Sequence, residues 1–189
     1  MAAHYRKGDV DGILENGTKS IELDPKNLYS LVIMAEVLPQ PQVANRGGDA
    51  EKEKTLARAE NYATQALQLV EQLPRQAAET DEQFAKRKTL IAATPHSSLG
   101  MVHLLRAQMS LTGTDAGELV KAEQEYQTAI SMSEQPNATD HFRLGEIRSM
   151  LNKVDGAIEA FTKAAELGQG TVIQQLADRN IEDLKKRKQ

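Results

Sequence analysis

Small and hydrophobic side chains recur along this chain at the steps of an α-helix, and the clearest run is residues 143–170, RLGEIRSMLNKVDGAIEAFTKAAELGQG. Ala157, Phe161, Ala164 and Leu167 follow one another at steps of four, three and three, which is one stripe of a helix with about 3.6 residues per turn. Leu144 and Gly145 fall on the inner face of a preceding helix, where glycine lets a neighbour come close. Asn152, Asp155 and Gly156 supply a polar turn between the two helices. The alanines leave room for the first helix and Phe161 fills the gap between them. Gly168 and Gly170 are placed to end the second helix with positive φ. The pattern predicts a helical hairpin.

One hairpin cannot bury its own apolar stripe, so the unit should recur. The small, small, large-aliphatic signature of the second helix returns at Ile13, Ser20, Leu23, at Ala59, Ala66, Leu69, and at Ala122, Ala129, Met132. The place of Phe161 is taken by Gly17, Ala63 and Tyr126, and first-helix counterparts of Leu144-Gly145 are Met34-Ala35 and Leu99-Gly100. Leu23-Asp24-Pro25 closes the first unit, with Pro marking the step to the next helix. On these residues the chain resembles the tetratricopeptide repeat (TPR) family, and more closely its uncharacterised bacterial members with inserted loops than eukaryotic co-chaperones. The resemblance covers nearly the whole chain. It departs from the family at Ile13 and Gly17, which should pack less well, and in having no tryptophan. It implies an all-α fold: a right-handed superhelix of antiparallel helix pairs in a single domain over 1–189. The repeats are expected at about 1–26 (truncated), 27–74, 80–135 and 138–170, with a capping helix at 171–188.

In chain order, residues 2–7 read as the end of a first helix. Met1 falls where Gly145 falls in the last repeat, so the earlier turns of that helix are expected to precede this sequence. Helices follow at 11–23 and 27–38, and then a polar Gly/Pro loop, 40–49, which is an insertion of about a dozen residues relative to the last repeat. The next helix spans 50–73. Thr80 and Gln83 form a capping box for a long helix that reaches about 111, and Pro95 within it should kink or briefly break it. A second inserted loop at 112–115 precedes a helix at 116–133. The helix at 171–188 turns Ile173, Leu176, Ala177, Ile181 and Leu184 inward and has no paired helix, as a solvating cap would.

Composition removes whole classes of chemistry. The 189 residues contain no cysteine, so disulfides and thiolate catalysis are excluded, and the net charge of −4 argues for neither nucleic acid nor membrane. No apolar run approaches the roughly 20 residues of a membrane span, and the opening MAAHYRKGDV has no apolar core of a signal peptide. A bacterial cytoplasm and a periplasm both remain open. His96 and His103 sit two helical turns apart with no carboxylate at ligand spacing, and His4 and His141 are isolated, so no metal is expected. Gly113 and Gly117 lack the lysine of a phosphate loop, and Glu123 and Glu125 lie on different faces of one helix. The basic ending Lys185 to Lys188 suits the negative end of a helix dipole. Neither catalysis nor a cofactor is expected, and Tyr126 and Phe161 read as core fillers, not as a platform for bases.

The TPR resemblance implies that first helices of successive hairpins line a concave groove for a peptide or partner helix. Mapped here, that face consists of Tyr29, Val32, Glu36, Ser97, Met101, Leu104, Phe142, Glu146 and Ser149. Family members that grip acidic chaperone tails use lysine, asparagine and arginine at such positions; Glu36 and Glu146 would repel such a tail. A partner with apolar anchors and some basic residues fits better. An alternative is a structural segment of a larger polypeptide or envelope assembly, homodimeric through Ile13, Leu14 and Ile21 of the first repeat. A small-molecule site would need a closed pocket, and no sequence feature points to one.

Overall fold

In a computed structural model, the structure describes residues 9–110 and 113–187. Among these, every regular element is an α-helix: α1 (Val10–Leu23), α2 (Leu28–Val37), α3 (Pro41–Ala44), α4 (Asp49–Glu71), α5 (Asp81–Met109), α6 (Ala116–Met132), α7 (Ala138–Met150), α8 (Val154–Leu167) and α9 (Val172–Arg187). The helix expected at 2–7 lies outside the described residues.

Short polar side chains set the helix starts locally. Asp9 accepts from the Gly12 N–H at 3.0 Å, Asn27 from Ser30 at 3.0 Å, Asp115 from Gly117 and Glu118 at 2.8 and 3.1 Å, and Asn137 from Asp140 at 2.8 Å. At the start of α5 the capping box forms in both directions. The Thr80 N–H donates to Gln83 Oε1 at 2.9 Å, and the Gln83 N–H to Thr80 Oγ1 at 3.2 Å.

The chain divides into two compact units, Met1–Val102 and His103–Gln189, with the boundary inside α5. In the first, α1 packs on α2, and α2 and the short α3 pack on α4. Ala35, Ala63 and Leu99 form a buried cluster flanked by Tyr62 and Leu67. In the second unit, α6 packs on α7, α7 on α8, and α8 on α9. The core there is Phe142, Ala157, Phe161, Ala164, Ala177 and Leu184. Phe161 meets Phe142 edge to face with ring centroids 5.3 Å apart. A Cβ on Gly145 would stand 2.7 Å from the Phe161 ring, a distance that no substituted residue tolerates unmoved. Glycine there is the condition for the α7–α8 approach.

The recurring small positions are buried except Ser20, which is half-buried. Ala59, Ala66, Ala122, Ala129, Ala157 and Ala164 are buried, as are Gly17, Ala63, Tyr126 and Phe161 at the filling position. Ile13 and Gly17 pack as fully as the others despite departing from the family pattern. The large aliphatic residue that ends the signature varies in burial: Leu23 is 88% and Leu167 49% exposed, while Leu69 and Met132 are half-buried.

Four expectations are corrected. Helix α5 runs from Asp81 through Pro95 to Met109 as one helix, so of the kink or break expected at Pro95 the break does not occur; Pro95 is itself buried, and the nearby Ser98 hydroxyl donates to Thr94 O at 2.9 Å. The loop 40–49 contains the helical turn α3. Gly168 has φ −97°, so it does not need a left-handed backbone; a Cβ there would meet Ala164 O at 3.0 Å, and space is the constraint. The positive-φ positions around this hairpin are Asn152 at 57° and Gly170 at 75°. Finally, α9 packs on α8 and reaches α7 with Ala177 and Leu184 buried and Ile173 and Ile181 against the core, but Leu176, expected inward with them, turns outward at 41% exposure.

Candidate interaction surface

The residues assigned by sequence to a groove fall into two groups. In the first unit, Tyr29, Val32 and Glu36 follow at steps of three and four along one side of α2. Tyr29 is 55% exposed, Val32 and Glu36 are half-buried, and Ser97 on α5 is also half-buried. Met101 is buried. In the second unit, Leu104 is buried, and Phe142 is committed to the core against Phe161. Glu146 is half-buried and accepts from Arg143 at 2.6 Å, and Ser149 is half-buried. Tyr29, Val32, Glu36, Ser97, Glu146 and Ser149 therefore remain within reach of a partner. Met101, Leu104 and Phe142 serve packing.

The patch expected for self-association is less open than its composition suggests. Ile13 is 3% exposed, and Leu14 and Ile21 are half-buried. The apolar side chains most open to solvent are instead Leu23 and, on α9, Val172 at 66%.

The most conspicuous polar feature was not legible in the sequence. Glu123, on α6, is buried, and its carboxylate takes Arg148 Nε from α7 at 3.1 Å and Lys153 Nζ from the α7–α8 turn at 2.5 Å. Arg148 also donates to Gly156 O at 3.0 Å, tying in the first turn of α8. One buried carboxylate thus joins three helices. The neighbouring Tyr126 phenol is buried, and burial, reinforced by the charge of Asp140, holds it well above its ordinary range and neutral.

A second clasp holds the linker between α4 and α5. Arg87 grips Glu79 with two bonds, Nε to Oε1 at 2.7 Å and Nη2 to Oε2 at 2.9 Å, and also donates to Pro74 O at 2.9 Å. The Glu79 carboxyl is pulled down to about 2 from its ordinary 4.5, chiefly by Arg87 and then by the Gln76 backbone N–H, against the opposing effect of burial. Because the folded value lies below the unfolded one, the stability this clasp supplies is present above about pH 4.5 and is lost as pH falls toward 2. NMR titration of the Glu79 carboxyl carbon should give a midpoint near 2, returning toward 4.5 in Arg87→Met. A wild-type midpoint at the ordinary value would mean the clasp is open in solution.

His103 and Glu118 lie 2.7 Å apart, and Glu118 also accepts from Lys121 at 2.6 Å. The Glu118 carboxyl stays below its ordinary value: burial pushes it upward, but Lys121 and His103 together outweigh that push. For His141, burial is the leading cause of a lowered value and keeps the ring neutral, opposed by Asp140. Among the described residues, no group of three or more His, Asp or Glu side chains gathers where it could hold a metal ion. No helix among them is long and apolar enough to cross a membrane.

No protein-family model matches the chain, and no curated protein matches it in sequence. The class that the fold defines is an all-α protein whose helices pack on their neighbours along the chain.

Proposed function

We propose that this chain is a TPR-like, non-enzymatic interaction scaffold whose first-helix faces hold a peptide or partner helix. The observation that carries the reading is the recurrence of one buried pattern in four helices. The filling positions Gly17, Ala63, Tyr126 and Phe161 are all buried, the last three between alanines. Packing of that kind occupies the second helices and leaves one side of the first helices for recognition. On α2 this side offers an exposed tyrosine beside Val32 and Glu36, a combination that suits an apolar anchor next to a basic residue. The superhelical arrangement of the pairs belongs to the same proposal.

A displayed peptide library selected on the full chain tests it. Enriched peptides should combine apolar residues with lysine or arginine. Tyr29→Ala together with Glu36→Lys should weaken them at least tenfold, with less dependence on salt. Enrichment of acidic peptides, or unchanged affinity in the variant, would remove the α2 face from the proposal.

A further inference from the structure

The segment inserted between α2 and α4 builds a cleft that repeat packing does not require. An ordered insertion with its own helical turn and buried side chains is a common way to add a site to a scaffold. Leu38, Val43 and Ala44 are 2%, 6% and 2% exposed, and with Leu14 of α1 they give the cleft an apolar interior. The cleft opens to solvent and offers about 260 Å³. A Cβ on Gly47 would stand 2.8 Å from Glu51 Cβ, so the insertion closes onto α4 only because this residue is glycine.

The exposed rim carries Arg46 and Arg58 against one acid, Glu51. Arg46 is held in place from two sides: its Nε donates to Gln42 O at 2.8 Å, and its Nη1 meets Asp11 at 2.5 Å. The Glu51 carboxylate is engaged with Lys54 at 2.6 Å. Arg58 makes no ion pair among the described residues, so the rim retains an uncompensated guanidinium over an apolar interior. Guanidinium groups favour carboxylates, which match their donor geometry.

We propose that this cleft binds a small aliphatic carboxylate, with its chain against Leu14, Leu38 and Val43 and its carboxylate at the Arg46–Arg58 rim. A cleft of about 260 Å³ suits a short aliphatic chain. The site lies apart from the exposed Tyr29 and does not depend on the scaffold reading.

Titrating the full chain with octanoate, 1-octanol, octylamine and dodecanoate, followed by calorimetry and by the methyl NMR signals of Leu14 and Val43, tests the proposal. Octanoate should saturate one site, with octanol and octylamine at least tenfold weaker and dodecanoate no tighter. Arg58→Glu should weaken octanoate at least tenfold while leaving the circular dichroism spectrum and Tm unchanged. Should that variant be destabilised, Arg58→Gln and a cleft-filling Thr55→Phe should each reduce octanoate binding. Absence of octanoate binding, equal binding of octylamine, or an unaltered affinity in folded Arg58 variants would overturn it.

Discussion

Phe161→Ala is expected to lower unfolding stability by about 3–5 kcal/mol, the range for truncating a fully enclosed aromatic side chain. Phe161 is 0% exposed and sits at the centre of the second unit, between Ala157 and Ala164 on its own helix and Gly145 on α7. Its truncation removes the edge-to-face contact with Phe142 and leaves a void that the rigid helix backbones cannot collapse to fill. Gly145→Val attacks the same interface from the other side, since its Cβ would begin 2.7 Å from the ring. Both should unfold α7, α8 and α9 together in urea, as monitored by circular dichroism. A cost below about 1 kcal/mol for Phe161→Ala would mean that the small-residue stripe is not the packing unit of this chain.

Glu123→Gln should be the most damaging polar substitution. It leaves Arg148, whose side chain is 17% exposed, with only the exposed Glu159 carboxylate at 4.0 Å, while Lys153 at 52% can turn to water. Breaking a buried pair costs about 3–5 kcal/mol; discounting for the access Lys153 retains, a loss of about 2–3 kcal/mol is expected. The loss should be nearly insensitive to salt, because the pair is shielded from solvent ions. Glu123→Leu combined with Arg148→Met should recover most of it, since two apolar side chains leave no orphaned charge. A double variant as unstable as the single would assign the loss to packing and not to charge.

How far the sequence could be read follows from the range of each interaction. The capping box at Thr80 and Gln83 was legible because it joins atoms no more than one helical turn apart. The Glu123 carboxylate was dismissed as one of a mismatched pair with Glu125. Its partners lie 25 and 30 residues away, and nothing local announces them. The Arg87–Glu79 clasp, eight residues apart across a linker, escaped for the same reason.

Periodicity and small-residue spacing were enough to determine that this protein is all-α, and which small positions of its helices face inward. That information is local and repeats, so each copy supports the others. The tertiary structure alone decided which of the expected groove residues stay accessible, withdrawing Met101, Leu104 and Phe142 and leaving Tyr29 exposed. It also decided that Leu176 of α9 turns outward, that one helix continues through Pro95, and that the 40–49 insertion lines a cleft. In each case the outcome depends on what a distant segment places beside the residue, and burial, unlike helical phase, is a property of neighbours that only the folded chain brings together.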